Sequence, residues 1–254
     1  MIDRVALGLT GLEVSRLCFG TGTYGWDHKS KQGDLGLDGL AHLLRFAHER
    51  GVTFWDGADM YGTHAHIARA LQEVDRNSIT LTTKTVSRDS DGVREDVERF
   101  LKELQTDYLD IVLLHCMTDP EWPEKMAGPM DVLSEYKDKG VIRAVGCSNH
   151  DFGAFKTAAA TDWVDVVLAR INYAGDRMDA SPEEVIPVID QMAAAGKGIY
   201  GMKVVGGGTD LTKDPRRAIR FVLEQESVHA MVIGMLSEAE VEENIGLIGE
   251  LVEA

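Results

Sequence analysis

The stretch Leu109-Asp110-Ile111-Val112-Leu113-Leu114-His115 decides the fold. It is a short, mostly apolar run that ends on an ionisable ring. Strands buried on both faces read this way, and such strands belong to parallel sheets covered by helices. Seven further runs share its character, at 17–22, 52–56, 79–84, 144–148, 164–170, 198–204 and 230–234. Each is short, rich in apolar and often β-branched residues, and lies close to Gly, Asp, Asn or Ser.

Helical patterns fill the intervals. Leu40, Leu43, Leu44 and Ala47 recur at i, i+3, i+4, i+7, as do Val93, Val97, Phe100, Leu101 and Leu104, and again Val241, Ile245, Ile248 and Val252. Ser181-Pro182-Glu183-Glu184 has the form of an N-cap, a proline at the first helical position and first-turn acids. Asp214-Pro215 and Ser237-Glu238 open the last two helices in the same manner.

Eight strands alternating with helices predict an α/β chain with a parallel sheet, and the count favours closure into a (β/α)8 TIM barrel. An open doubly wound sheet is the competitor. The glycine-rich Gly20-Thr21-Gly22-Thr23-Tyr24-Gly25 is not read as the dinucleotide fingerprint of that fold. Residues 4–12, with a central Thr10-Gly11, are expected to form a β-hairpin outside the barrel. With no repeat or linker, the 254 residues are read as one domain, large enough to need no disulfide or metal staple.

The formal charge of −16, from 26 basic and 42 acidic residues, disfavours nucleic acid and anionic membranes as partners. Cys18, Cys116 and Cys147 are odd in number and share no ligand-like spacing, which suits a reduced, cytoplasmic compartment. No leader-length apolar segment opens the chain, and no run of 18 apolar residues interrupts it. The oligomeric state is not legible.

Asp56, Tyr61, Lys84 and His115 fall at or just beyond the carboxyl ends of the second, third and fourth strand runs. The active face of such a barrel is built from those ends. A phenol keeps its proton at neutral pH, with a pKa of about 10. An ammonium at Lys84 is expected to lower that value, and Asp56 to pair with Lys84. His115 can donate to a carbonyl oxygen as negative charge develops there. Singly, each has a bland reading: loop aspartate, packing tyrosine, solvated lysine, core histidine. Their joint order at successive strand ends favours carbonyl reduction or its reverse.

These residues sit within motifs that resemble the aldo-keto reductases over nearly the whole chain. The motifs are Leu7-Gly8-Leu9-Thr10-Gly11-Leu12-Glu13-Val14-Ser15, Phe19-Gly20-Thr21-Gly22, Trp55-Asp56-Gly57-Ala58-Asp59-Met60-Tyr61-Gly62, Thr83-Lys84, Tyr108-Leu109-Asp110 running to Leu114-His115, Val145-Gly146-Cys147-Ser148-Asn149 and Glu242-Glu243-Asn244. The resemblance implies a (β/α)8 barrel and reversible hydride transfer between NAD(H) or NADP(H) and a small aldehyde, ketone or sugar. Tyr61 would be the general acid, with Asp56, Lys84 and His115 as companions. Thr21, Gly22, Asp56, Ser148, Asn149, Arg170, Met202, Gly234, Ser237, Glu240 and Asn244 would face the cofactor, and Tyr24, Trp26, Met117 and Trp122 would wall the substrate. No metal is implied.

The chain departs from the family pattern in three places. Arg170 stands where a glutamine usually holds the carboxamide; it is open to that role, to a substrate anion, or to pairing with an acid. Where an aromatic usually stacks on the nicotinamide, Tyr200, Met202 and Lys203 all compete, ahead of Gly206-Gly207-Gly208, a run that lets backbone approach a pyrophosphate. Leu236 and Glu240 stand where basic residues would hold a 2′-phosphate, which favours NAD(H). The short 206–214 connection, and a chain that stops with its eighth helix, lead to the expectation of an open pocket.

Three alternatives compete. One is a redox-neutral epimerase or lyase on the same scaffold, and another a non-catalytic cofactor-binding regulator. The third is a metal hydrolase using His64, His66, His115 and Cys116; His64 and His66 diverge on a helix, which disfavours it.

Overall fold

In the computed structural model, which describes residues 2–206 and 209–253, eight parallel strands close on themselves. A two-stranded hairpin precedes them, β1 (Arg4–Ala6) pairing antiparallel with β2 (Glu13–Ser15). The barrel strands are β3 (Leu17–Gly20), β4 (Phe54–Asp56), β5 (Thr80–Thr85), β6 (Leu109–Met117), β7 (Ile142–Asn149), β8 (Val166–Arg170), β9 (Gly198–Met202) and β10 (Ala230–Gly234). They neighbour one another in chain order, and β10 closes the ring between β9 and β3. The helices are α1 (Leu37–Glu49), α2 (His64–Leu71), α3 (Ser90–Leu104), α4 (Trp122–Lys125), α5 (Ala127–Asp138), α6 (Phe152–Ala160), α7 (Pro182–Ala194), α8 (Pro215–Leu223) and α9 (Glu238–Val252).

All eight strand runs are present, with ends shifted by a few residues for local reasons. Before β4, the Val52 amide is spent on the Ala47 carbonyl at the end of α1, so extension begins later. β9 stops at Met202 because Lys203 adopts a left-handed backbone, φ +64°. The expected helix starts hold. Ser181 and Glu184 form a capping box, Asp214 accepts from the Arg217 amide, and Ser237 accepts from the Glu240 amide.

The two-residue period of the strands sorts their side chains into two cores. Outward residues such as Phe19, Trp55, Val112, Leu114, Val145, Val167 and Ile199 pack under the helices. Inward residues Cys18, Phe54, Ile111, Leu113, Ala144, Val166, Leu168, Tyr200 and Ala230 fill the barrel. Leu7, Leu12 and Val14 of the hairpin join this inner core, so the hairpin plugs one end of the barrel. Close packing of backbone fixes it there: a Cβ on Gly8 would lie 2.5 Å from the Gly196 carbonyl oxygen, and Gly8 has φ +56°. Asp110, at the start of β6, ties three elements together. It accepts from the Leu81 amide at 2.9 Å and from Arg76 and Arg143 at 2.8 Å each.

Carrying the inward parity on toward the carboxyl ends of the strands gives Gly20, Asp56, Lys84, His115, Ser148, Arg170, Met202 and Gly234. These are the positions from which the carboxyl-end face is built. The alternation that fills the barrel therefore delivers the candidate site.

Candidate active site

Lys84 is fully buried, and three acceptor atoms lie close to its ammonium. Its Nζ donates to Asp56 Oδ1 at 2.7 Å, to Asp56 Oδ2 at 2.8 Å and to the Gly57 carbonyl at 2.7 Å. Asp56 accepts a further bond, from the Tyr200 hydroxyl at 2.8 Å. The Lys84 ammonium stands 4.8 Å from the Tyr61 ring centroid, and the His115 ring meets the Tyr61 ring edge-on at 5.7 Å. Burial disfavours charge on Lys84, but Asp56 and Tyr61 outweigh it and hold the ammonium above its ordinary range.

Tyr61 belongs to a short 3-10 turn, Asp59–Tyr61, that follows β4. Its ring lies against glycine backbone. A Cβ on Gly22 would lie 2.3 Å from Tyr61 Cε2, and one on Gly25 would lie 2.4 Å from Cδ1. The stretch from Gly20 to Gly25 does match G-x-G-x-x-G in spacing, so spacing alone does not exclude a dinucleotide fingerprint. Its surroundings do, because it is followed by turns and not directly by a helix, and two of its glycines house the phenol ring.

The expected depression of the Tyr61 pKa is not what the structure gives. Burial raises it, the Lys84 charge lowers it only in part, and Asp56 works against Lys84, leaving the phenol above its ordinary value. An ammonium already clamped by a carboxylate is a weak partner for a second anion. His115 is held neutral, its pKa pushed down to about 2 by burial and then by the charges of Lys84, His150 and Arg88. Its Nδ1 is buried without a hydrogen-bond partner among the described residues.

Three of the four side chains line a cavity of about 310 Å³, within the range of small-molecule sites, and Lys84 lies behind Asp56. Asp56, Tyr61 and His115 line it, with Tyr24, Trp26, Cys116, Ser148, His150, Arg177, Met202 and Lys203 among the remaining wall. Cys116 reaches the wall because the β6–β7 register shifts between Leu114 and Met117, and Cys116 itself has φ +60°. This bulge presents His115 and Cys116 to the same space.

The Aldo/keto reductase family model matches residues 16–217, some four fifths of the chain. The chain belongs to the aldo/keto reductase family. It is 29% identical over 206 residues to aldo-keto reductase YhdN of Bacillus subtilis, covering 73% of this chain and 58% of that protein. It is 24% identical over 210 residues to the NADH-specific methylglyoxal reductase of Escherichia coli, covering 74% and 63%. The chain thus spans about three fifths of the length of these two relatives. In fold it is similar to aldo-keto reductase AKR11C1 of Bacillus halodurans, with a TM-score of 0.79, 22% identity, and coverage of 100% of this chain and 92% of that one.

Within this aldo/keto reductase barrel, the expected cofactor-facing residues divide. Ser148, Gly22, Met202 and Gly234 line the cavity. Ser148 Oγ accepts from the Cys116 amide at 3.0 Å, leaving its own proton to donate. Asn149 is buried, and among the described residues its side chain bonds only to the soft Cys147 sulfur, its Nδ2 at 3.4 Å. Thr21 lies outside the lining, buried and bonded to the Asp56 carbonyl and to Thr63. Of the roles open to Arg170, the structure shows acid pairing. Its Nη1 donates to Asp179 at 2.9 Å and its Nη2 to His150 Nδ1 at 2.7 Å, while its buried Nε has no partner.

In the last helix, Glu240 and Asn244 bond within their own segment. Glu240 accepts from the Leu236 amide at 2.7 Å, and Asn244 donates to the Glu240 carbonyl at 2.7 Å. Tyr200 is buried inside the barrel, not exposed for stacking. Of the Gly206-Gly207-Gly208 run, Gly207 and Gly208 lie outside the described residues.

Of the four residues expected to wall the substrate, Tyr24 and Trp26 line the cavity. Met117 and Trp122 do not: both are buried in the outer core, and Trp122 donates to the Ala154 carbonyl at 3.2 Å. Two cavity-lining residues that the sequence did not single out are His150 and Arg177, and His150 Nε2 lies 3.5 Å from the Cys116 sulfur. A guanidinium can only donate, so Arg170 fixes His150 with Nδ1 as acceptor and the proton on Nε2.

The histidines of the hydrolase alternative are dispersed. His115 and Cys116 share the cavity, whereas His64 is bonded to Thr83 and Glu103 elsewhere. Asp59, His64 and Glu103 do converge within 4.8 Å, but Arg99 already donates to Asp59 at 2.7 Å and to Glu103 at 3.1 Å. A guanidinium therefore supplies the positive charge in that cluster. Among the described residues, no helix is long and apolar enough to cross a membrane.

Proposed function

We propose that the protein is a nicotinamide-dependent carbonyl reductase, or alcohol dehydrogenase in reverse, with Tyr61 as the proton donor. The observation that carries this reading is the convergence of Tyr61, His115 and Asp56 on one cavity, with the buried Lys84 bonded to Asp56 and 4.8 Å from the Tyr61 ring centroid. When bound, the cofactor supplies or accepts hydride. Its carboxamide has a suitable partner in Ser148, which lines the cavity with a proton to spare, and Asn149 follows it, buried behind the lining. The unpartnered Arg170 Nε is a further donor in the same region of the barrel face.

The chain's own groups account for the proton. In the resting site the raised Tyr61 pKa keeps the hydroxyl protonated. As hydride reaches a carbonyl carbon, its oxygen gains negative charge and becomes a base. Tyr61 hands over its proton at that moment, and the phenolate left behind lies beside the Lys84 ammonium. Neutral His115 donates a hydrogen bond to the same oxygen without bringing a competing charge. Asp56 holds Lys84 in place, acting as a positioning residue through its two short bonds.

NAD(H) is the proposed cofactor. Glu240 is negative where a 2′-phosphate would need a cation, and its carboxylate already occupies the start of α9 through the Leu236 amide. The similarity to an NADH-specific relative points the same way. A panel of aldehydes, ketones and sugars, followed at 340 nm with both cofactors, tests the reading. Oxidation of NADH by at least one class is expected, and inert behaviour across the panel with both cofactors refutes it.

A further inference from the structure

Two basic residues on the cavity wall, Arg177 and Lys203, form no ion pair among the described residues. Arg177 enters from the connection between β8 and α7, and Lys203 follows β9 directly. Neither side chain bonds to a described residue, whereas the neighbouring Arg170 is taken up by Asp179 at 2.9 Å. The single carboxylate in the lining, Asp56, is already committed to Lys84 and Tyr200. In a chain of formal charge −16, this wall therefore carries two basic side chains, Arg177 exposed and Lys203 half-buried, that pair with no acid among the described residues.

Both residues hold left-handed backbones, φ +55° at Arg177 and +64° at Lys203, which non-glycine residues rarely adopt. Such outliers persist where surrounding structure enforces them, often at ligand sites. Lys203 is also disfavoured as a cation by burial and by repulsion from Arg170 and Arg177. It shares the cavity lining with Cys116 and His115. An anion placed there would relieve the repulsion.

We propose that Arg177 and Lys203 form an anion subsite that selects carbonyl substrates bearing a carboxylate or phosphate group. The proposal rests on the reductase reading for its carbonyl, but not for its anion. The carbonyl faces Tyr61 and His115, and the substrate's acidic group faces the two cations. Pairing with the guanidinium and ammonium supplies charge-assisted hydrogen bonds.

Matched pairs test it: succinic semialdehyde against butanal, and glyceraldehyde 3-phosphate against glyceraldehyde, in the wild type and in Lys203→Met, Arg177→Gln and the double variant. The wild type is expected to favour the charged member of at least one pair in kcat/KM. Each single variant should lower that preference by about ten- to hundredfold, chiefly through KM. Which pair responds separates carboxylate from phosphate. An unchanged preference overturns the proposal. So does an equal loss for both members accompanied by weaker dinucleotide binding, which assigns the cations to the cofactor.

If the wild type turns over no carbonyl compound, the reductase reading fails by itself, and calorimetric titration with succinate and with inorganic phosphate still reads the subsite. Binding of either that is lost in the double variant supports the subsite. Absent binding, or binding that the double variant retains, overturns it.

Discussion

Replacing Lys84 with methionine removes three hydrogen bonds from one buried atom. Asp56 would keep only the Tyr200 hydroxyl among the partners it has here, and the Gly57 carbonyl would lose the bond from Nζ. Breaking a buried pair by deleting one partner costs about 3–5 kcal/mol, because the remaining charge is left desolvated and unpaired. With Lys84 fully buried and Asp56 3% exposed, little solvent is at hand to compensate. A loss of about 4 kcal/mol is a large part of the roughly 5–15 kcal/mol that holds a domain folded. Urea unfolding followed by circular dichroism would measure it. Removing the orphaned charge should recover much of the loss. Asp56→Asn combined with Lys84→Met should therefore destabilise by at least about 2 kcal/mol less than the two single changes summed. A single-variant loss below about 1 kcal/mol, or strict additivity in the cycle, would refute the clamp.

Stability should fall as pH drops below about 6.5, because an unfolded histidine takes up a proton that His115, at about 2 in the native state, refuses. The slope from this residue is about 1.4 kcal/mol per pH unit, and an unaltered slope in His115→Gln would contradict the assignment. Gly22→Ala places a methyl 2.3 Å from the Tyr61 ring, so kcat should drop by about 100-fold while the protein stays folded; normal turnover would show that the ring has room to move. Glu240→Lys should shift the ratio of NADPH to NADH affinity by about tenfold or more toward NADPH, measured by nucleotide fluorescence, and an unchanged ratio would count against the role given to Glu240.

What the sequence makes legible is local or periodic. Eight apolar runs, their helix caps and the strand-end placement of Asp56, Lys84 and His115 all follow from patterns a few residues long. Which face of a strand points inward is not legible in the same way, because both faces of a barrel strand are apolar. Tyr200 illustrates this: as a letter it can stack or pack, and only its inward parity buries it against Phe54, with ring centroids 5.1 Å apart. The partners of Arg170 lie 9 and 20 residues away, across loops with no pattern to betray them. Gly22 and Gly25 serve a ring 39 and 36 positions later in the chain. The direction of the Tyr61 shift was hidden for a related reason, since proximity of Lys84 can be guessed but its bidentate capture by Asp56 cannot. The bulge that turns Cys116 into the cavity is likewise a property of two strands together.

Single-turnover reduction of a carbonyl compound by Tyr61→Phe, with bound reduced nicotinamide, bears most directly on the proton donor. Removing one positioned proton source should slow the transfer by about 10²–10⁴, with dinucleotide affinity essentially unchanged. A phenylalanine variant that reduces its substrate at the wild-type rate would contradict the assignment of Tyr61.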